Sequence, residues 1–259
     1  MAPRFTVRPL LSLVAFVALT ILGCVLAILS RLFDPSGDLV LTLARWWSRG
    51  VLGAAGVRVK VVSHAKLDPK QPYVVMPNHL SSVDIWAVFL AVPVPLRFIA
   101  KKQLGQIPLF GWAMRAGRFI FIDRQNAAAA RRSIDEAAAR IRKGTSVVIF
   151  PEGTRSRDGK LLPFKKGGFH LAVNSGAQIV PVAIRGSREI MPRGSLLTRP
   201  GVVEFEIGAP IPTEGLGPED REGLRQKVRG VVAGMLGQDP AEPGEPASDA
   251  SASKALEGE

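Results

Sequence analysis

At 259 residues, 47% of them hydrophobic, the chain is long enough to bury a full core, and a single domain is expected. Its net charge of +12 is uneven: residues 238–259 carry six acidic side chains against Lys254, which leaves the body at +17 and suited to an anionic partner such as nucleic acid, anionic lipid or a phosphorylated substrate. One cysteine, Cys24, excludes an internal disulfide and a cysteine-rich zinc site.

Leu10 to Leu29 is an uncharged apolar run flanked by Arg4, Arg8 and Arg31. As a helix rising about 1.5 Å per residue it matches the thickness of a hydrocarbon layer, so a membrane-anchoring helix is expected, either spanning or lying in the interface. A cleaved signal would want small residues before the cut, and none is well placed. A lipoprotein signal ending at Cys24 meets the bulky Leu22, and the apolar run continues beyond it. Asp38 then opens an amphipathic helix over Leu39–Arg49. Trp46 and Trp47 beside Arg45 and Arg49 suit a membrane interface, and a core-facing helix with a charged rim explains them equally well. Residues 1–56 together are expected to hold the body against a bilayer.

From Val57 the rhythm changes. Short β-branched runs predict strands at Val57–Val62, Tyr73–Met76, Leu96–Ala100, Arg118–Ile122, Ser146–Phe150, Ile179–Ile184 and Val202–Ile207. Helical patterns fall between them: from Ser81 or Ser82 through Leu90, then Leu109–Ala116, Ala127–Lys143, Gly168–Ser175 and Pro218–Leu236. Strands spaced by helices imply an α/β domain over 57–237 with ligands gathered at strand ends. From Gln238 to Glu259 the Ala, Ser, Pro, Gly and Glu composition predicts a disordered acidic tail.

Three stretches carry chemistry. Asn78-His79-Leu80-Ser81-Ser82-Val83-Asp84 places a histidine and a carboxylate at a loop-to-helix junction. Such a pair makes an oriented general base, and since no side-chain nucleophile accompanies it, the nucleophile should belong to a substrate. Alternatively, His79 is a polar loop residue and Asp84 a first-turn carboxylate on a helix dipole. Phe150-Pro151-Glu152-Gly153-Thr154-Arg155-Ser156 follows a buried-type strand, so backbone amides and Arg155 can converge on one ligand. Lys160, Lys165, Lys166 and Gly167-Gly168 follow closely; a Pro-Gly turn with solvated arginines is the plain alternative. The third stretch, Phe119–Arg124, releases Asp123 and Arg124 at a strand end, and Lys101-Lys102 lie where the same sheet edge would collect them. One anionic ligand beside one base accounts for the whole set. His64 and His170 lack the carboxylate spacing and read as structural.

On these boxes the chain resembles the glycerolipid acyltransferases of the 1-acyl-sn-glycerol-3-phosphate acyltransferase (lysophosphatidate acyltransferase) family. The His-x4-Asp box stands at 78–84, Phe-Ile-Asp-Arg at 121–124, Phe-Pro-Glu-Gly-Thr-Arg-Ser at 150–156, and the apolar box with its proline at Ile179–Ile184, within a resemblance covering roughly 57–210. One departure is Arg118, where the family usually has a glycine six residues before the arginine of the second box; it bears on the local path of the chain more than on function.

The resemblance implies a mixed α/β sheet flanked by helices, and a reaction. His79, oriented by Asp84, takes the proton of the sn-2 hydroxyl of lysophosphatidate, whose oxygen attacks a fatty acyl thioester. Arg124 and Arg155, with Lys101 or Lys102, bind the phosphate. Gly153 and Thr154 border the substrate, and Glu152 braces the turn or the glycerol. No metal or cofactor is expected; acyl-CoA or acyl carrier protein supplies the thioester as co-substrate. The partners expected are lysophosphatidate, the acyl donor and the bilayer, with no nucleic acid, and the location is the inner membrane with the catalytic body facing the cytoplasm. Rival readings are another acceptor (glycerol-3-phosphate or a lyso-aminolipid), a hydrolase, disfavoured because no Gly-x-Ser-x-Gly elbow occurs, and a non-catalytic binder of anionic lipid or nucleic acid.

Overall fold

The computed structural model describes residues 8–123, 127–192, 194–195 and 197–241. Two helices lead the chain, α1 (Arg8–Leu29) and α2 (Asp38–Ala55), and strands then alternate with helices. β1 (Val57–Ser63) and β2 (Tyr73–Pro77) precede α3 (Val83–Ala91), β3 (Leu96–Lys101), α4 (Phe110–Ala116) and β4 (Ile120–Ile122). Then come α5 (Ala127–Arg142), β5 (Ser146–Val148), α6 (Gly167–Ser175) and β6 (Gln178–Arg185). A one-turn α7 (Ser187–Ile190), β7 (Gly201–Ile207) and α8 (Arg221–Leu236) complete the order.

The strands form one sheet in the order β1-β7-β6-β2-β5-β3-β4, parallel throughout except where β6 meets β7. It is therefore mixed, and the carboxyl ends of β2, β3, β4, β5 and β6 share one edge. Alternate residues of each strand serve opposite faces, as the pleat requires. Val75, Phe98, Val148 and Val180 pack under α2 and α3 with Leu52, Trp86 and Phe89. Val74, Met76, Val147 and Ile179 meet α5, α6 and α8 through Ile141, Phe169 and Val228. Helices thus cover both faces, the arrangement expected when parallel strands are apolar on both sides.

The leading helices are built into this body. The α1–α2 turn is organised by Asp34, whose carboxylate accepts from Ser36 and from the Leu39 amide (2.7 Å); the Ser36 hydroxyl first, then these amides, hold it down to about 2. Gly37 follows at φ +79°, where a Cβ would stand 2.6 Å from the Ala116 carbonyl, so only glycine lets the turn lie against the end of α4. Arg97, the second residue of β3, reaches the same turn: it donates to Asp38 (2.8 Å), Ser36 O (3.2 Å) and Gly117 O (3.1 Å). Along the rest of the hairpin, Arg45 donates to the carbonyls of Val92 and Val94, and the Trp47 indole to Thr20.

Differences from expectation lie at element ends. β4 begins at Ile120, because Arg118 takes φ +55° as the chain turns out of α4. That left-handed backbone is where glycine is favoured and a side chain is strained, which is the physical content of the glycine-to-arginine departure. β5 stops at Val148, though the Ile149 amide still donates to Val75 O (3.0 Å) before the turn at Phe150–Gly153. α8 starts at Arg221, after a turn closed by Asp220 on the Gly217 amide. Of the tail, Gln238 is anchored by its amide to Leu161 N (2.7 Å) and Gly159 O (3.0 Å), and 242–259, expected to be disordered, lies outside the described residues.

Candidate active site

β2 ends in Pro77 and hands Asn78 and His79 to the carboxyl edge of the sheet, where the two sides of the fold are tied together. The Asn78 side chain donates to Ile184 O (3.1 Å) and accepts from Ile184 N (2.6 Å), fixing the strand end against β6. The chain then turns into α3, and Asp84 in its first turn points back at the loop. Its Oδ2 accepts from the amides of Leu80 (2.7 Å) and Ser81 (2.8 Å) and from His79 Nδ1 (2.9 Å). A carboxylate only accepts, so Nδ1 carries the hydrogen and Nε2 is left with its lone pair. Asp84 is fully buried, and among the described residues its Oδ1 has no hydrogen-bond partner. His79 keeps 14% of its side chain exposed.

The box at 150–156 supports this pair. Glu152, 2% exposed, accepts from His79 N (2.6 Å) with one oxygen and from Leu162 N (2.9 Å) with the other, while Ser156 N donates to His79 O (2.9 Å). The backbone of the histidine is therefore held on both sides by the turn that follows β5. Burial pushes the Glu152 carboxyl up to about 8; the two amides and Arg229 pull the other way, and neighbouring Asp84 adds to the rise. Arg229 of α8 in turn donates to the carbonyls of Leu161 and Leu162, so the brace extends to the last helix. Phe150 lays its ring against the imidazole, centroids 4.0 Å apart and planes at 19°, which restricts the tilt of that ring.

His79 and Phe150 also line an apolar cavity of about 480 Å³. Its polar end is made by His79, Ser82, Lys101, Thr154 and Arg155. Phe98, Phe119 and Phe150 line its length, and Cys24 and Ala27 of α1, Val40 of α2 and Ala113 of α4 meet at the opposite, amino edge of the sheet, beside the turn held by Arg97. Helices α1, α2, α3 and α4 all contribute, so α1 and α2 are walls of the cavity. The amino termini of α3 and α6 both point to the carboxyl edge, adding positive potential there.

The expected site residues sort as follows. His79, Asp84, Gly153, Thr154, Arg155 and Lys101 come together, with Arg155 donating to the Ser82 hydroxyl (3.0 Å). Glu152 is turned inward with both oxygens occupied, a brace for the His79 backbone. Lys102 lies outside the cavity wall, paired to Asp123 at 3.1 Å. Arg124 lies outside the described residues. His64 and His170 sit elsewhere, against Glu206 and beside Asp135 and Asn174. Among the described residues no group of three or more histidine, cysteine or acidic side chains could hold a metal ion. Sequence reasoning missed the stacking role of Phe150 and the cavity itself. A signal for the latter existed, Thr20, Gly23, Cys24 and Ala27 being small residues three and four apart on one side of α1, but it lay inside a uniformly apolar run.

The sequence model described as Acyltransferase matches residues 58–185. A human 1-acyl-sn-glycerol-3-phosphate acyltransferase alpha is 36% identical over 67% of the chain, which spans 62% of that relative's length. A Caenorhabditis elegans protein provisionally named 1-acyl-sn-glycerol-3-phosphate acyltransferase is 32% identical over 81% of this chain and 73% of its own. The crystal structure of the lysophosphatidate acyltransferase PlsC from Thermotoga maritima superposes with a TM-score of 0.76 at 29% identity, covering 89% of this chain and 95% of that one.

Proposed function

The chain belongs to the 1-acyl-sn-glycerol-3-phosphate acyltransferase family, and on that premise we propose that it transfers a fatty acyl group from a thioester to the sn-2 hydroxyl of 1-acyl-sn-glycerol-3-phosphate, yielding phosphatidic acid for phospholipid synthesis. The observation that carries the reading is the position of the His79–Asp84 pair, at the polar mouth of a cavity otherwise lined by carbon.

His79 Nε2 takes the hydroxyl proton while Asp84 stabilises the imidazolium that results. The freed oxygen adds to the thioester carbonyl. The tetrahedral oxyanion forms beside the Gly153–Arg155 turn, where the amides of Thr154 and Arg155 donate to no acceptor among the described residues and are the candidates to receive it. Collapse breaks the carbon–sulfur bond, and the thiolate leaves with the proton held on His79. Arg155 and Lys101, with Arg124, bind the acceptor's phosphate. The apolar cavity takes an acyl chain, whose burial supplies affinity at roughly 0.8 kcal/mol per methylene. The same carbon lining limits competing hydrolysis by keeping water scarce.

Membrane association follows from α1. One side of it, with Ser12, Cys24 and Ala27, is buried against the body, and the other exposes Leu10, Val14, Val17, Ile21, Leu22 and Leu29. A helix pinned along its length to a charged domain cannot cross a bilayer without dragging that domain into hydrocarbon, which favours an interfacial position. The catalytic body then faces the cytoplasm from the inner membrane, with acyl-CoA or acyl carrier protein as donor and no cofactor. Purified protein in detergent tests the proposal: thiol release from acyl-CoA should require lysophosphatidate and yield phosphatidate. Release at an undiminished rate without acceptor would mean a hydrolase, and preference for glycerol-3-phosphate or a lyso-aminolipid would reassign the acceptor.

A further inference from the structure

Three lysines, Lys160, Lys165 and Lys166, follow the turn at Gly153, and the structure gives them different surroundings. Lys166 lies near Glu222 of α8, which Arg225 and Gln226 chiefly, and Lys166 in addition, hold below the ordinary carboxylate range. Lys165 turns the other way. Its amide donates to Pro151 O (2.8 Å), which folds the residue back over the turn, and its side chain crosses the bare Cα of Gly153. A Cβ at Gly153 would meet Lys165 Cδ and Cε at 3.0 Å and Nζ at 3.3 Å. The glycine is thus required twice, by its φ of +72° and by the lysine lying across it. Among the described residues the Lys165 ammonium has no carboxylate partner.

We propose that Lys165 is a further substrate-binding residue, a cation that closes on the phosphate of the acceptor from the side of the turn opposite the cavity, where Arg155 and Lys101 stand. The inference rests on the acyltransferase reading above. Gly153 lines the same mouth as His79, and the strands of the turn are stitched to the histidine through Glu152 and Ser156. An anion bound by Lys165 would therefore sit at the turn that borders the mouth. In lysophosphatidate a short glycerol bridge separates phosphate from the sn-2 hydroxyl. In a donor the long pantetheine arm puts the nearest phosphate far from the thioester, so the acceptor is the ligand that fits. An ammonium on a flexible stem suits this place, because it can follow the phosphate while the planar Arg155 fixes its orientation.

The test compares Lys165→Met, which keeps the stem over Gly153 without the charge, with Lys165→Arg, in the full-length protein in detergent. Kinetics are measured with lysophosphatidate varied at saturating acyl-CoA and the reverse. Loss of one charge-assisted contact should raise the KM for lysophosphatidate about ten- to a hundredfold in Lys165→Met, with donor KM and kcat little changed and most of the loss restored in Lys165→Arg. An unchanged acceptor KM, a raised donor KM, or an equal fall in kcat with both substrates overturns the proposal. Equilibrium binding of the unreactive 2-deoxy analogue of lysophosphatidate reads the same contact without turnover, and should weaken by a similar factor. Should the wild-type protein bind the analogue and Lys165→Met bind it equally, Lys165 is excluded whatever the reaction proves to be. A wild type that turns over some other acceptor instead refutes the earlier reading.

Discussion

Three donors converge on one oxygen of Asp84, and this fixes what substitution there does. Asparagine can keep accepting from the Leu80 and Ser81 amides, so the loop should survive while the negative charge behind the imidazole is lost. We expect Asp84→Asn to lower kcat by about 10²–10⁴ with lipid binding retained, measured by acceptor-dependent thiol release. Glu152 makes a different prediction. With its carboxyl raised to about 8 by burial, folded chains keep a proton that unfolded chains release once pH passes the ordinary glutamate range. Stability contributed at this residue should therefore fall as pH rises from about 4.5 to about 8. Denaturant midpoints across that window should show the decline in wild type and a flatter profile in Glu152→Gln. The variant itself pays with one donor facing another, at about 1–3 kcal/mol.

Among the elements, periodicity made the strands and helices of 57–236 legible, because apolar alternation and helical spacing are local properties of the chain. The boxes were legible for a related reason: three of the four sit at strand ends, which the parallel sheet gathers along one edge, and the fourth, Ile179–Ile184, is the interior of β6. What was not legible depends on contacts between distant residues. Nothing near Phe150 in the sequence says that its ring lies on that of His79, and nothing near Arg97 says that it holds the α1–α2 turn. Arg118 lies between these cases, since the departure was visible and its meaning, a backbone at φ +55°, was not. Arg118→Gly should relieve that strain and stabilise the fold by about 1 kcal/mol, less whatever freedom glycine adds to the unfolded chain, as thermal or denaturant unfolding would show. At the far end of the cavity Ala27→Leu should occupy space beside Cys24 and Val40, shifting preference toward shorter acyl donors in a chain-length panel.

For the molecule as a whole, the basic body and the apolar outer side of α1 suit, on the proposed reading, anionic headgroups and lipid chains respectively. The carboxyl terminus also belongs to the working body as far as Gln238, which ties itself to the loop bearing Leu161 and, through Leu162, to Glu152. A chain ending at residue 241 should retain full activity, whereas Gln238→Ala should lose about 1–2 kcal/mol of stability, read from the unfolding midpoint.

The burial of one side of α1 against α2 and α4 has a last consequence. On the proposed reading the enzyme is a resident of a single monolayer, drawing its acceptor from, and releasing its product into, the half of the bilayer it rests on. New lipid would accumulate there alone, so growth of the opposite half must depend on separate machinery that flips molecules across.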